Sequence, residues 1–365
     1  MAKKNLHTYG MAINIRMEGV REAKLWGIAI KLGMDNAGLY RRSEFIYLDG
    51  GPVRVGGNEK IMKIAIMATG GVGGYFGARL AAAGENVHFV ARGAHLDAIR
   101  KNGLYVESMF GNLHIKDTPA TDDPTTIGPV DVVLFAVKLW DSETAAEACK
   151  PLIGKNTALI MLQNGIDGVS RLAPILGAEH VVGGVSLISS FIAQPGTIRH
   201  NGNFACLQFG EEDGSKSTRL RAFIATCTGA NIDADLMPDI ELAQWRKFVF
   251  LVGLSGATAI TRQSIGPILA EAENRRMLIS LMEETAEIGR ARGIALDAEF
   301  TQGRITYAEA LPPGMKASML NDLENGKQLE LDWLAGGVSR LGRELAIPTP
   351  ANDKVYAALK SYRSG

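Results

Sequence analysis

No cysteine pair, no histidine pair and no long apolar run occurs in this 365-residue chain, and each absence removes a class of function. Cys149, Cys206 and Cys227 are widely spaced and form no CxxC, so neither a disulfide framework nor a cysteine zinc site is expected. Buried thiols in a reducing compartment are expected instead. The six histidines show neither HxxxH nor HxH spacing, which predicts no metal site. No apolar run reaches the roughly 18–20 residues of a membrane span. The 39 basic and 39 acidic side chains cancel, so no global field draws nucleic acid or an anionic membrane to the chain. Phosphate must then be bound by a local site. The cytosol is the expected compartment, and the expected partner is a small molecule, with a homodimer as the candidate assembly.

Residues 1–61 read as a separate segment. They lack the charged start, apolar centre and small-residue cleavage site of a signal peptide, and Glu18, Glu22 and Asp35 argue against an organelle transit peptide. Gly50, Gly51, Pro52, Gly56 and Gly57 crowd the end of the segment, as in a linker. The expectation is a disordered extension or a mis-assigned start, with Met62 as the natural one. The competing expectation is an accessory element with a short helix from Glu22 to Met34.

From Lys63 onward, short apolar runs alternate with helical patterns. The runs are Lys63–Met67, Asn86–Val90, Val130–Val137 and Thr157–Leu162. This alternation predicts βαβ units and a parallel sheet, and unbroken apolar runs fit strands covered by helices on both faces. The four runs lead into a glycine loop, Arg92, Lys138 and Gln163-Asn164-Gly165. Ligands of open α/β sheets bind beyond the carboxyl ends of the strands. Four successive ends bearing groups suited to phosphate, ribose and amide therefore predict a nucleotide site.

The glycine loop reads Ala68-Thr69-Gly70-Gly71-Val72-Gly73-Gly74 and runs from a strand into a helix, the context of a dinucleotide fingerprint. Gly70 would let backbone approach a pyrophosphate, Gly73 would let helix pack on strand, and the helix N-terminus offers unpaired N–H groups. Ala68 replaces the first glycine of the fingerprint. Positive φ is costly for alanine, so the turn is expected to avoid it there. Dinucleotide sites selective for NAD place an acid at the end of the second strand. Here Val87-His88-Phe89-Val90-Ala91-Arg92 ends in a base, which predicts a 2′-phosphate partner and hence NADP(H).

After Asn231–Met237 the pattern turns helical. Glu241–Leu254 is apolar at Leu242, Trp245, Phe248, Val249 and Val252. Ala270–Gly293 is a second helix with Gly293 as its C-terminal cap. Lys316–Arg343 is a third helical region broken at Asn325-Gly326, and Pro348 and Pro350 precede a short last helix. The fold class is thus an α/β Rossmann-type N-terminal domain with a parallel sheet over 62–237, followed by an all-α C-terminal domain over 238–365. A cleft between them would suit a small substrate.

From Met62 to its end the chain resembles the ketopantoate reductase (2-dehydropantoate 2-reductase) family. The matching stretches keep the family's order and spacing: Lys63–Gly77, Val137-Lys138, Gln163-Asn164-Gly165, Pro195-Gly196-Thr197, Trp245-Arg246-Lys247, Ser318-Met319-Leu320 and Glu330-Leu331-Asp332-Trp333. The resemblance implies NADPH-dependent reduction of an α-keto acid on the route to pantothenate. It makes Lys247 the catalytic lysine and Glu330 the carboxylate that binds the substrate hydroxyl and helps to place that lysine. It makes Ser318 the holder of the substrate carboxylate, and sets Lys138 and Asn164 near the nicotinamide and its ribose. Chemistry agrees on the lysine, because hydride delivered to a ketone leaves an alkoxide that needs a proton donor.

Two departures and one geometric condition follow. Family members commonly carry asparagines four and eight residues after the catalytic lysine; here Leu251 and Ser255 stand at those substrate-side positions. A less polar or bulkier α-keto acid and ketopantoate itself therefore stand nearly level as substrates. Ser318 and Glu330 would lie ~18 Å apart on an unbroken helix, so the site requires the break at Asn325-Gly326. The alternatives are a related NADP-dependent reductase of another 2-oxo acid, another two-domain NADP reductase such as a β-hydroxyacid or opine-type dehydrogenase, and an NADP(H) sensor without turnover.

Overall fold

The computed structural model describes residues 61–365 and four short upstream strands, in two compact units, Met1–Lys60 and Ile61–Gly365. The upstream strands are β1 (Asn5–Leu6), β2 (Ala12–Ile15), β3 (Ala37–Tyr40) and β4 (Phe45–Asp49). They pair antiparallel in the order β1-β2-β4-β3. Only four residues separate β3 from β4, a hairpin spacing. These strands form a four-stranded sheet, and the helix expected from Glu22 to Met34 lies outside the described residues.

The strands of Ile61–Gly365 are β5 (Lys63–Met67), β6 (Asn86–Val90), β7 (Leu104–Glu107), β8 (Leu113–Ile115), β9 (Ala120–Thr121), β10 (Val132–Phe135), β11 (Ala158–Met161), β12 (Val181–Gln194), β13 (Thr197–Gly210) and β14 (Asp233–Leu236). They form one sheet in the order β8-β7-β13-β12-β11-β10-β5-β6-β9, with β14 beside β13. The four apolar runs are β5, β6, β10 and β11, mutually parallel and adjacent. Their register brings Met161, Phe135, Met67 and Val90 into one row. The four polar strand ends therefore emerge side by side along one edge.

Alternate side chains explain why these runs are apolar throughout. Ile64 and Ile66, with Val132, Leu134 and Ile160, enter one core with Phe76 and Leu80 of α1 (Gly71–Ala82), Leu96 and Ile99 of α2 (Gly93–Asn102) and Phe223. Ala65, Met67, Val133, Phe135, Leu159 and Met161 face the opposite core. There Ala145 and Cys149 of α3 (Ser142–Cys149) and Leu172 of α4 (Gly168–Leu176) meet them. Burial of each large side chain contributes roughly 1.5–3 kcal/mol.

The sheet is mixed rather than wholly parallel. β12 and β13 run antiparallel for fourteen residues each, with register shifts at Ile188/Ser189 and Ile192/Gln194. Their glycines and polar residues hide them from a propensity reading. The glycines mark close approach: a Cβ on Gly184 would collide with the Met161 carbonyl oxygen of β11. Cys149 and Cys227 are buried, as expected, and burial pushes the Cys149 thiol up to about 12. Cys206, on β13, is only half-buried, against the expectation of a buried thiol.

Beyond α5 (Thr218–Gly229) and β14 the chain is helical: α6 (Ile240–Thr261), α7 (Ile265–Ala270), α8 (Ala272–Ala291), α9 (Phe300–Glu309), α10 (Ser318–Glu324), α11 (Ala335–Leu345) and α12 (Pro350–Leu359). Asp239 caps α6 by accepting from the Leu242 N–H at 2.9 Å. The periodic residues Trp245, Phe248, Val249 and Val252 enter a third core with Leu278, Leu281 and Leu320. Gly293, at φ +88°, terminates α8 in the expected manner. The required break is present: α10 ends at Glu324, Gly326 takes φ +59°, and a 3₁₀ turn covers Glu330–Asp332. Among the described residues no helix is long and apolar enough to cross a membrane, and no group of three His, Cys, Asp or Glu could hold a metal ion.

Candidate active site

The glycine loop departs from expectation at its first residue. Ala68 adopts φ +73°, the left-handed region that the sequence was expected to avoid. The chain must reverse at once after β5 so that the Thr69 N–H donates to the Val90 carbonyl at 2.8 Å. The Thr69 hydroxyl donates to the same oxygen at 2.9 Å. The reversal also drives the Ala68 carbonyl against α1, where a Cβ on Gly73 would collide with it and would meet Ile66 Cγ2 at 2.8 Å. These contacts offset a conformational cost of roughly 1–2 kcal/mol.

The loop fits a dinucleotide phosphate. A Cβ on Gly70 would meet nothing within 4 Å, so the backbone there is open to close approach. α1 has no acidic residue in its first turn and no side-chain cap, and Gly74 N–H closes the first turn on Gly70 O at 2.7 Å. The amides of Gly71, Val72 and Gly73 precede that bond and are left for a ligand. A Cβ on Gly71 would collide with the Ser190 carbonyl of β12, a demand for glycine that the fingerprint alone did not disclose. Arg92 is the N-cap residue of α2, its side chain 67% exposed and 3.9 Å from Asp141. No acid directly follows β6, so the guanidinium is the charged group at that strand end.

The ends of β10 and β11 are tied together. Gln163 Nε2 donates to the Val137 carbonyl at 3.0 Å and to Ser142 Oγ at 2.8 Å, which holds Lys138 and Asn164 side by side. Asn164 Nδ2 donates to Glu330 Oε2 at 3.0 Å. Glu330 is 6% exposed on its 3₁₀ turn. Lys138 Nζ donates to Asp322 Oδ2 at 2.9 Å and lies 5.5 Å from the Trp140 ring centroid. Partial burial works against the Lys138 charge, but the carboxylates of Glu330 and Asp322 outweigh it and raise its pKa. Asp322 was not singled out from the sequence; the available signal was its position one helical turn after Ser318.

Lys247 lies on α6, opposite the apolar stripe, and is half-buried. Burial pulls its pKa down to about 8, against the opposing field of Glu330. Residues 247, 251 and 255 follow at i, i+4 and i+8 along one line of the helix, and that line sinks inward. Leu251 packs against the helical core, and Ser255 is fully buried with no partner for its hydroxyl. Ser318 opens α10 and is exposed. Lys138, Asn164, Glu330 and Lys247 are thus gathered at the edge of the sheet, with Ser318 one turn from Asp322, while Ser255 is withdrawn into the core.

Such a set can bind a dinucleotide along the glycine loop with its far end beside Lys138 and Asn164, hold a small polar substrate against Glu330, and deliver a proton from Lys247. Comparison with known proteins agrees in outline. The family models described as ketopantoate reductase PanE/ApbA and its C-terminal part match residues 64–214 and 239–363. A third, peptidoglycan L,D-endopeptidase MepK, matches residues 1–55. The uncharacterized oxidoreductase YkpB of Bacillus subtilis is 30% identical over 303 residues, covering 83% of this chain and 99% of its own. A 2-dehydropantoate 2-reductase of Mesorhizobium japonicum is 31% identical, covering 82% and 97%. The crystal structure of a PanE/ApbA family ketopantoate reductase from Ralstonia eutropha superposes with TM-score 0.76 at 30% identity, covering 83% and 98%.

Proposed function

The chain belongs to the ketopantoate reductase family of oxidoreductases, and from that premise we propose that it reduces an α-keto acid with NADPH, with 2-dehydropantoate the first substrate to try. The observation that carries this reading is the bond between Asn164 and Glu330 beside Lys138 and Lys247. A protein that merely senses the dinucleotide has no use for a proton donor and a buried carboxylate at that point. We assign residues 62–237 to the cofactor and 238–365 to the substrate and its proton.

Gly70, Gly71, Val72 and Gly73 would hold the pyrophosphate and Arg92 the 2′-phosphate. When bound, the nicotinamide supplies hydride to the ketone carbon. Lys247 acts on the oxygen: its ammonium polarises the carbonyl and gives its proton to the developing alkoxide. A pKa near 8 leaves the amine protonated at neutral pH yet ready to release the proton. Glu330 keeps Lys247 charged and accepts a hydrogen bond from the substrate hydroxyl. Ser318 and Lys138 meet the substrate carboxylate and the nicotinamide ribose, respectively.

Leu251 and Ser255 bear on which acid is used. An apolar wall discriminates between substrates less than paired hydrogen-bonding groups do. Following NADPH absorbance with ketopantoate and with branched apolar α-keto acids tests both levels. Turnover of none of them would refute the reductase reading. A kcat/KM for ketopantoate several orders of magnitude above the others would make Leu251 a packing change only.

A further inference from the structure

His95 joins three elements of the cofactor half that the glycine fingerprint leaves unconnected. It sits in the first turn of α2, three residues after Arg92, and is half-buried. Its Nδ1 accepts a hydrogen bond from the Gly196 N–H at 3.0 Å. A backbone N–H can only donate, so Nδ1 carries no proton and Nε2 must carry it. Nε2 lies 2.8 Å from the Thr69 carbonyl and therefore donates to it. The ring is thus neutral, with one tautomer selected by its two partners. Burial lowers the pKa, partly opposed by the bond to Thr69, and so favours the same state.

Both partners sit where position counts. Gly196 forms the turn between β12 and β13 at φ +79°, and a Cβ there would meet the Ala98 Cβ of α2 at 3.1 Å. Thr69 lies between the strained Ala68 and the open Gly70. In a trans peptide the carbonyl of one residue and the N–H of the next point in opposite directions. Holding the Thr69 carbonyl on His95 therefore sets the plane of the Gly70 N–H, immediately before the amides of Gly71, Val72 and Gly73 that are left for a ligand. The Thr69 N–H of the preceding peptide and the Thr69 hydroxyl are committed to Val90, and His95 is the partner of the carbonyl of the Thr69–Gly70 peptide itself.

We propose that His95 is a positioning residue for the cofactor loop: it orders the Thr69–Gly70 peptide and the start of α2, and so preorganises the site for the dinucleotide phosphates. This rests on the reading of the loop as an NADPH site. The test compares wild type, His95→Ala and His95→Gln by NADPH fluorescence titration without substrate, by steady-state kinetics and by thermal melting. Glutamine can donate to one partner and accept from the other.

For His95→Ala we expect an NADPH Kd about ten-fold higher, which is ~1.4 kcal/mol, with kcat at saturating NADPH within two-fold of wild type. His95→Gln should recover most of the affinity. An alanine Kd within two-fold of wild type overturns the proposal. So does a glutamine variant that melts like wild type and binds as weakly as alanine. If His95→Ala does not fold, a His95→Gln Kd close to wild type supports the proposal and a ten-fold loss overturns it. Failure of the wild type to bind NADPH would instead remove the cofactor reading itself.

Discussion

Asn164 Nδ2 donates to Glu330 Oε2 at 3.0 Å across 166 positions of sequence, joining the end of β11 to a 3₁₀ turn of the helical half. The carboxylate that this bond orients is also the charge that acts on Lys247. Glu330→Gln keeps the shape and removes the charge. Burial holds the Lys247 pKa below its ordinary value and Glu330 opposes that effect, so losing Glu330 should lower the pKa further. Reduction requires the protonated amine, so wild-type kcat should fall as pH rises through about 8. In Glu330→Gln the fall should begin at lower pH. Identical alkaline limbs in the two pH–rate profiles would exclude this coupling.

Lys247→Ala should lose turnover by roughly 10²–10⁴-fold, the usual contribution of positioned proton transfer, while NADPH still binds. The lysine releases its proton more readily folded than unfolded. Between about 8 and its ordinary value the unfolded chain binds more protons, so stability should rise with pH across that window. Lys247→Ala should flatten that rise. Near-normal turnover in a pre-steady-state assay would eliminate Lys247 as the acid.

Arg92→Ala should weaken NADPH binding by about ten-fold or more, since a hydrogen bond to a charged group contributes roughly 1.5–3 kcal/mol, and should leave NADH nearly unchanged. The exposed guanidinium lies 3.9 Å from Asp141. Equal loss for the two cofactors in parallel titrations would show that Arg92 does not read the 2′-phosphate.

Ala68→Gly should stabilise the protein. Relief of the left-handed conformation gains roughly 1–2 kcal/mol, and the freer unfolded chain takes back about 0.5–1 kcal/mol. A net gain of about 0.5–1 kcal/mol should appear in a denaturant titration. An unchanged or lower midpoint would mean that the surrounding contacts hold alanine at φ +73° without strain.

The parts of this protein that depend on neighbours in the chain were legible in its residues alone. The four apolar runs became β5, β6, β10 and β11 because burial on both faces demands uninterrupted hydrophobic residues, whatever else surrounds them. Helix periods placed Trp245, Phe248, Val249 and Val252 in the core for the same local reason. Tertiary structure decided what depends on distant partners. The polar, glycine-bearing β12 and β13 exist because each supplies the other's hydrogen bonds. The positive φ of Ala68 follows from an acceptor on β6 and a glycine on α1. Asp322 joined the site through its bond to Lys138, 184 positions away in sequence. Ser255 was expected on the substrate side, yet the inward course of α6 buries it. A sequence records which groups are present, but the charge and reach of a side chain depend on the dielectric and the partners that folding brings to it.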